Sequence, residues 1–192
     1  LEEGRLGRYT RSFECLEDGQ VRVFYLDEDK HFASEVLDLA RRDLVELERI
    51  YGSSSEKLDI VLYASEEAMF ADLGIKEGSK VMGAYYGGRV NVLTPRLWAA
   101  DGDGNGLDVG QLANTVLHEI THLKVEEMAR GNFPLWFTEG MALYMEYVVL
   151  GYEWAGDIPT MEPYSAQELK NNFSRLDQNL AYKQSFLLVK QL

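Results

Sequence analysis

The run His118-Glu119-Ile120-Thr121-His122 constrains this chain more than any other, because its spacing has meaning only on a well-packed helix. Two histidines four residues apart sit about 40° apart around a helix axis, one turn above one another. Both imidazoles can then reach one metal ion while Glu119 points at water on that ion. The chain holds three histidines, and two of them stand here. The flanking sequence supplies the helix. Asp108-Val109-Gly110-Gln111 has the form of a capping box, and Val109, Leu112, Ala113, Val116, Leu117, Ile120 and Leu123 form an apolar stripe. His118 and His122 flank that stripe, at the edge of a core where a cleft can run. Arg130 and Gly131 end the helix.

The segments before this helix read as an α+β half. Tyr9, Arg11, Phe13 and Cys15 alternate with polar neighbours, Asp18-Gly19 offers a turn, and Val21, Val23 and Tyr25 alternate again, which predicts a hairpin. Phe32, Val36, Leu37, Ala40, Leu44, Leu47 and Tyr51 recur at helical spacing, with Gly52 as the stop. Leu58, Ile60 and Leu62 mark a strand. Ser65 caps a short helix ending near Gly74. After the Gly-rich stretch 83–88, Arg89 to Thr94 reads as a strand closed by Pro95. The later part is helical: Pro134 suits the first position of a helix running to about Gly151, Ser165-Ala166-Gln167-Glu168 is a second capping box, and a last helix begins near Leu180.

At 192 residues the chain is most simply one domain, able to bury roughly 70% of its unfolded surface. Its net charge of −13 argues against nucleic acid or an anionic membrane as partner. Cys15 is the sole cysteine, which rules out an internal disulfide and a thiolate zinc site, and its place in a strand suggests a small buried residue. No apolar run approaches ~18 residues, so no membrane-spanning segment is expected. The chain starts at Leu1 and stops at Leu192 inside a helical run, as a fragment or processed form of a longer protein would. An extracytoplasmic place, or a membrane anchor supplied by a further segment, is favoured over the cytoplasm.

A catalytic zinc takes three protein ligands and leaves a position open. Helix arithmetic points to Glu139 as the third. From His122 to the helix end at Arg130 is roughly 12 Å, and Glu139 lies roughly 8 Å into a returning helix. An antiparallel pair joined by Gly131-Asn132-Phe133 therefore brings Glu139 about level with His122. His31 stands among charged neighbours, Asp29 and Lys30, and reads as a surface residue.

H-E-x-x-H followed by Trp136-Phe137-Thr138-Glu139-Gly140-Met141-Ala142 resembles the gluzincin metallopeptidases, specifically the peptidase MA-like group of small, often bacterial, domains. The segment Gly83 to Val92 is similar to the edge strand before that family's active-site helix, and Ala181 to Phe186 to its late Tyr-containing helix. The resemblance implies a zincin-like α+β fold with a thermolysin-type core and a small mixed sheet whose edge strand lines the cleft. It implies one zinc ion on His118, His122 and Glu139, with Glu119 as general base in the hydrolysis of peptide bonds. By its place in the late motif, Tyr182 is a candidate oxyanion donor; a core tyrosine sharing its helix face with Phe186 and Val189 is the equal alternative.

An exposed strand can hold an extended peptide through main-chain hydrogen bonds. Residues 88–93 are the candidates, with Gly88, Arg89, Val90 and Asn91 as substrate-binding residues; the alternative is an ordinary sheet edge. Asp101, Asp103 and Asn105 match the first half of a calcium loop, but the twelfth position is Leu112 rather than Glu, so a polar loop ahead of the helix is the favoured reading over Ca2+. Trp136, Phe137, Tyr144 and Tyr147 read as one buried helix face, while Trp98 and Trp154 stand in loop-rich stretches from which they can line a cleft. Two functions compete: a zinc peptidase acting on peptide or protein substrates, and a zinc-binding scaffold of the same fold without turnover. Glu119 favours the first, since a structural zinc has no need of it.

Overall fold

The computed structural model describes residues 12–76, 81–101, 109–154, 156–158 and 162–192. It is an α+β protein with a mixed five-stranded sheet and, among the described residues, six α-helices. The chain divides into two compact units, Leu1–Leu123 and Lys124–Leu192.

The first unit carries the sheet. Strands β1 (Glu14–Asp18) and β2 (Val21–Tyr25) form the expected hairpin, with Asp18 opposite Val21 across a turn in which Gly19 takes a positive φ. Val21, Val23 and Tyr25 are buried while Arg22 and Phe24 are half-buried, the alternation of a strand with one face on a core. Helix α1 (Lys30–Tyr51) packs on this hairpin through Ala33, Val36, Ala40, Leu44 and Leu47, and Gly52 ends it. It also carries the chain across to β3 (Leu58–Tyr63), which runs parallel to β2, as a parallel pair requires of its connection. Ser65 accepts a hydrogen bond from the Ala68 N–H at the start of α2 (Glu66–Leu73), and Gly74 closes that helix in the left-handed region. Strands β4 (Gly83–Tyr86) and β5 (Arg89–Leu93) form a second hairpin.

The strand order is β1-β2-β3-β5-β4. This corrects one expectation. Strand β5 pairs with β3 on one side and β4 on the other, and all five of its residues are buried. Val90 and Asn91 thus have no free main-chain edge, Arg89 begins the same interior strand, and Gly88 lies in the tight turn before it. Among the described residues the outer strand at this side is β4. The physical reason is that Arg89 and Asn91, which look solvent-facing in sequence, are satisfied inside the protein. A second correction concerns Cys15: it is exposed, because β1 is an outer strand with little cover on either face.

Helix α3 (Val109–Ala129) spans the division between the units. In the second unit it ends at Arg130 and Gly131, both with positive φ. Helix α4 (Leu135–Met145) starts one residue later than expected, with Pro134 as its extended cap, and continues as a π-helical turn over Glu146–Leu150 to Gly151. The Ser165–Glu168 capping box opens α5 (Ala166–Asn172). Helix α6 (Gln178–Lys190) begins before Leu180 because Asp177 caps it. Leu169, Phe173 and Ala181 form an apolar cluster in this unit, with Trp136, Tyr164 and Tyr182 against it. Tyr9, Arg11, Asp103, Asn105, Asp108 and the side chain of Asp101 lie outside the described residues. No described helix is long and apolar enough to cross a membrane.

Candidate metal centre

Helix α3 builds the first part of the site. Its buried face is Leu112, Val116, Leu117 and Ile120. Thr121 turns its hydroxyl back to the Leu117 carbonyl at 2.8 Å, so this polar residue costs no unsatisfied group in the core. The face beside that stripe carries His118 and His122, both half-buried, with ring centroids 4.7 Å apart and planes at 80°. His118, His122 and Glu139 each offer one ligand atom, and these atoms all lie within 4.8 Å of one another. The three residues can hold a metal ion. Glu139 is 9% exposed, and a carboxylate that secluded calls for compensation by a cation or by donors.

Glu119 is buried to 7% exposure, and its surroundings are specific. The main-chain N–H of Tyr85, in β4, donates to Glu119 Oε2 at 2.7 Å. Two residues earlier, Gly83 leaves space that no other residue would: a Cβ there would lie 2.8 Å from Thr115 Cγ2 and 2.9 Å from Glu119 Cγ.

Behind β4 stands a buried polar network. Asn91 Nδ2 donates to the carbonyls of Ala84, at 3.0 Å, and Tyr86, at 3.4 Å. Arg89 Nε donates to Asn91 Oδ1 at 2.8 Å, and its Nη2 reaches both the Tyr63 hydroxyl and Asp72. The Tyr63 hydroxyl also donates to Asp72. Burial first, and then the hydrogen bond to Asp72, raise the Tyr63 pKa, with Arg89 opposing; the phenol stays protonated. Arg89 and Asn91 therefore brace the sheet through side chains that a peptide cannot reach.

In the second unit, α4 carries Glu139 and α6 braces it. Gly140 faces α6 so closely that a Cβ would lie 2.5 Å from the Ser185 carbonyl oxygen. Tyr182 packs its ring against Trp154 and Phe173, at centroid distances of 5.8 and 5.4 Å. That environment favours the core reading of Tyr182. Trp98 is also a core residue, its indole N–H donating to the Leu93 carbonyl at 3.0 Å. His31 is at the surface, 3.2 Å from Glu35.

The structure thus brings together His118, His122 and Glu139, and withdraws the side chains of Arg89 and Asn91 into a brace. Gly83 and Tyr85 lie in the segment that resembles the family's edge strand, but their contacts with Glu119 were not read from the sequence. No family model matches the chain, and no curated protein matches it.

Proposed function

We propose that this chain is a zinc-dependent peptidase of gluzincin type with a zincin-like core. The observation that carries the reading is the convergence of two imidazoles and a carboxylate within 4.8 Å, with the buried Glu119 next to the first ligand. The donor set fits zinc: nitrogen and oxygen atoms from three residues are what a catalytic site uses, leaving a fourth position open. His118, His122 and Glu139 are the residues that would hold the ion. A bound zinc ion would polarise a carbonyl and acidify water.

The chain's own part is proton handling and positioning. Glu119 takes the proton from the attacking water, and burial keeps competing solvent away from that transfer. An extended peptide lies along β4, the outer strand, which replaces residues 88–93 in that role. Tyr182 is the candidate oxyanion donor, and Tyr182→Phe, which keeps the ring and removes the hydroxyl, tests that role through kcat.

The test measures bound zinc and hydrolysis of a mixed peptide library for wild type, Glu119→Gln and Glu139→Ala. Glu119→Gln should keep the metal and lose activity; Glu139→Ala should lose both. A zinc-binding scaffold would instead hold zinc with no turnover in any form.

A further inference from the structure

We propose that strand β4 is the positioning element for Glu119, with the Tyr85 main-chain N–H clamping one carboxylate oxygen and Gly83 leaving the space that the rest of the side chain fills. The inference rests on the reading of Glu119 as general base.

A glutamate has three side-chain torsions, and a base must be held close to its working geometry. At 2.7 Å, the Tyr85 N–H to Glu119 Oε2 contact has the length of a charge-assisted hydrogen bond. The donor is main chain, so only the position of β4 sets where it points. That position is fixed on both sides of Tyr85, because Asn91 holds the carbonyls of Ala84 and Tyr86. The Leu93 N–H adds a bond to the Met82 carbonyl at 2.8 Å. Asn91 is held in turn by Arg89, which Asp72 and Tyr63 anchor. A rigid chain of contacts therefore runs from Asp72 through Arg89 and Asn91 to β4, and from β4 to the carboxylate.

Gly83 completes the seat. Thr115 and Glu119 are one helical turn apart on α3, and a Cβ on Gly83 would meet both: Thr115 Cγ2 at 2.8 Å, Glu119 Cγ at 2.9 Å and Glu119 Oε1 at 3.1 Å. Any other residue pushes Glu119 or moves the strand. Gly83 and Tyr85 are positioning residues, since they act through Glu119.

Two measurements test this. Hydrogen exchange at the Tyr85 amide, compared between wild type and Glu119→Ala, reads the clamp without any turnover. Exchange should be at least about tenfold faster in Glu119→Ala, because the amide loses its acceptor. The second compares Tyr85→Ala, which keeps the N–H, with Tyr85→Pro, which removes it from an outer strand where proline is tolerated. With zinc bound, Tyr85→Pro should lower kcat about 10–100-fold relative to Tyr85→Ala at equal zinc content, since both variants lose the side chain and only the first loses the N–H. Gly83→Ala should lower kcat in the same way. Equal exchange rates in wild type and Glu119→Ala overturn the proposal, as does a Tyr85→Pro kcat equal to that of Tyr85→Ala. Slowed exchange in a protein that cleaves no peptide leaves the clamp standing and removes the peptidase reading instead.

Discussion

Gly140 and Ser185 are in contact through their backbones: a Cβ on Gly140 would lie 2.5 Å from the Ser185 carbonyl oxygen and 2.7 Å from Val189 Cγ2. The glycine beside Glu139 is therefore required by the fit of α4 against α6. Gly140→Ala must force the two helices apart at this point, at a cost of roughly 1–3 kcal/mol. Thermal unfolding should show a Tm lowered by about 2–10 °C for a chain of this size. Zinc retention should fall with it, because Glu139 moves with its neighbour. A Tm equal to that of wild type would contradict the close approach.

Asp72 compensates a buried cation. The Arg89 guanidinium it pairs with is nearly inaccessible, with side-chain exposures of 7% for Arg89 and 11% for Asp72. Asp72→Ala strips that charge of its counterion, a change that costs about 3–5 kcal/mol at buried pairs. Denaturant unfolding should register the loss as a lowered midpoint. An unchanged midpoint would mean that Arg89 finds an equivalent partner without Asp72.

Asp43 gives stability a distinct pH dependence. On α1 it is fully buried, and its Oδ2 has no hydrogen-bond partner. Burial pushes its pKa from 3.8 to about 6; Arg42 opposes that shift and Glu46 adds to it. The folded state thus binds this proton more tightly than the unfolded chain does. This group's contribution is most favourable below pH 3.8 and declines as pH rises towards about 6, above which it costs on the order of 2–3 kcal/mol. Asp43→Asn should be more stable than wild type above pH 6 by up to that amount, with the two curves converging near pH 4. Parallel curves across this range would sink the assignment.

What sequence could and could not reveal follows from the range of each interaction. Local signals were legible. The Ser65 and Ser165 caps, the Gly52 stop and the apolar stripe that orients His118 and His122 are all set within one or two helical turns. Glu139, read from helix rise and from the motif around it, offers a ligand atom within 4.8 Å of those of His118 and His122. Strand β5 was misread because Arg89 and Asn91 look like solvent-facing residues, whereas Tyr63 and Asp72, far away in sequence, satisfy them internally. The burial of Cys15 was misread because alternation does not reveal which strands lie at the outside of a sheet. The Tyr85 clamp on Glu119 was beyond reach for a simpler reason: a main-chain donor has no sequence signature, and its partner lies 34 residues away.

Under the proposed function, Glu119 does chemistry at a metal held by its neighbours. The most direct measurement is peptide hydrolysis and zinc content, side by side, for wild type and Glu119→Gln. Equal zinc content is expected, with kcat lowered by about 10²–10⁴-fold in the variant, the usual contribution of a positioned general base. Equal rates in the two proteins at equal zinc content would contradict it.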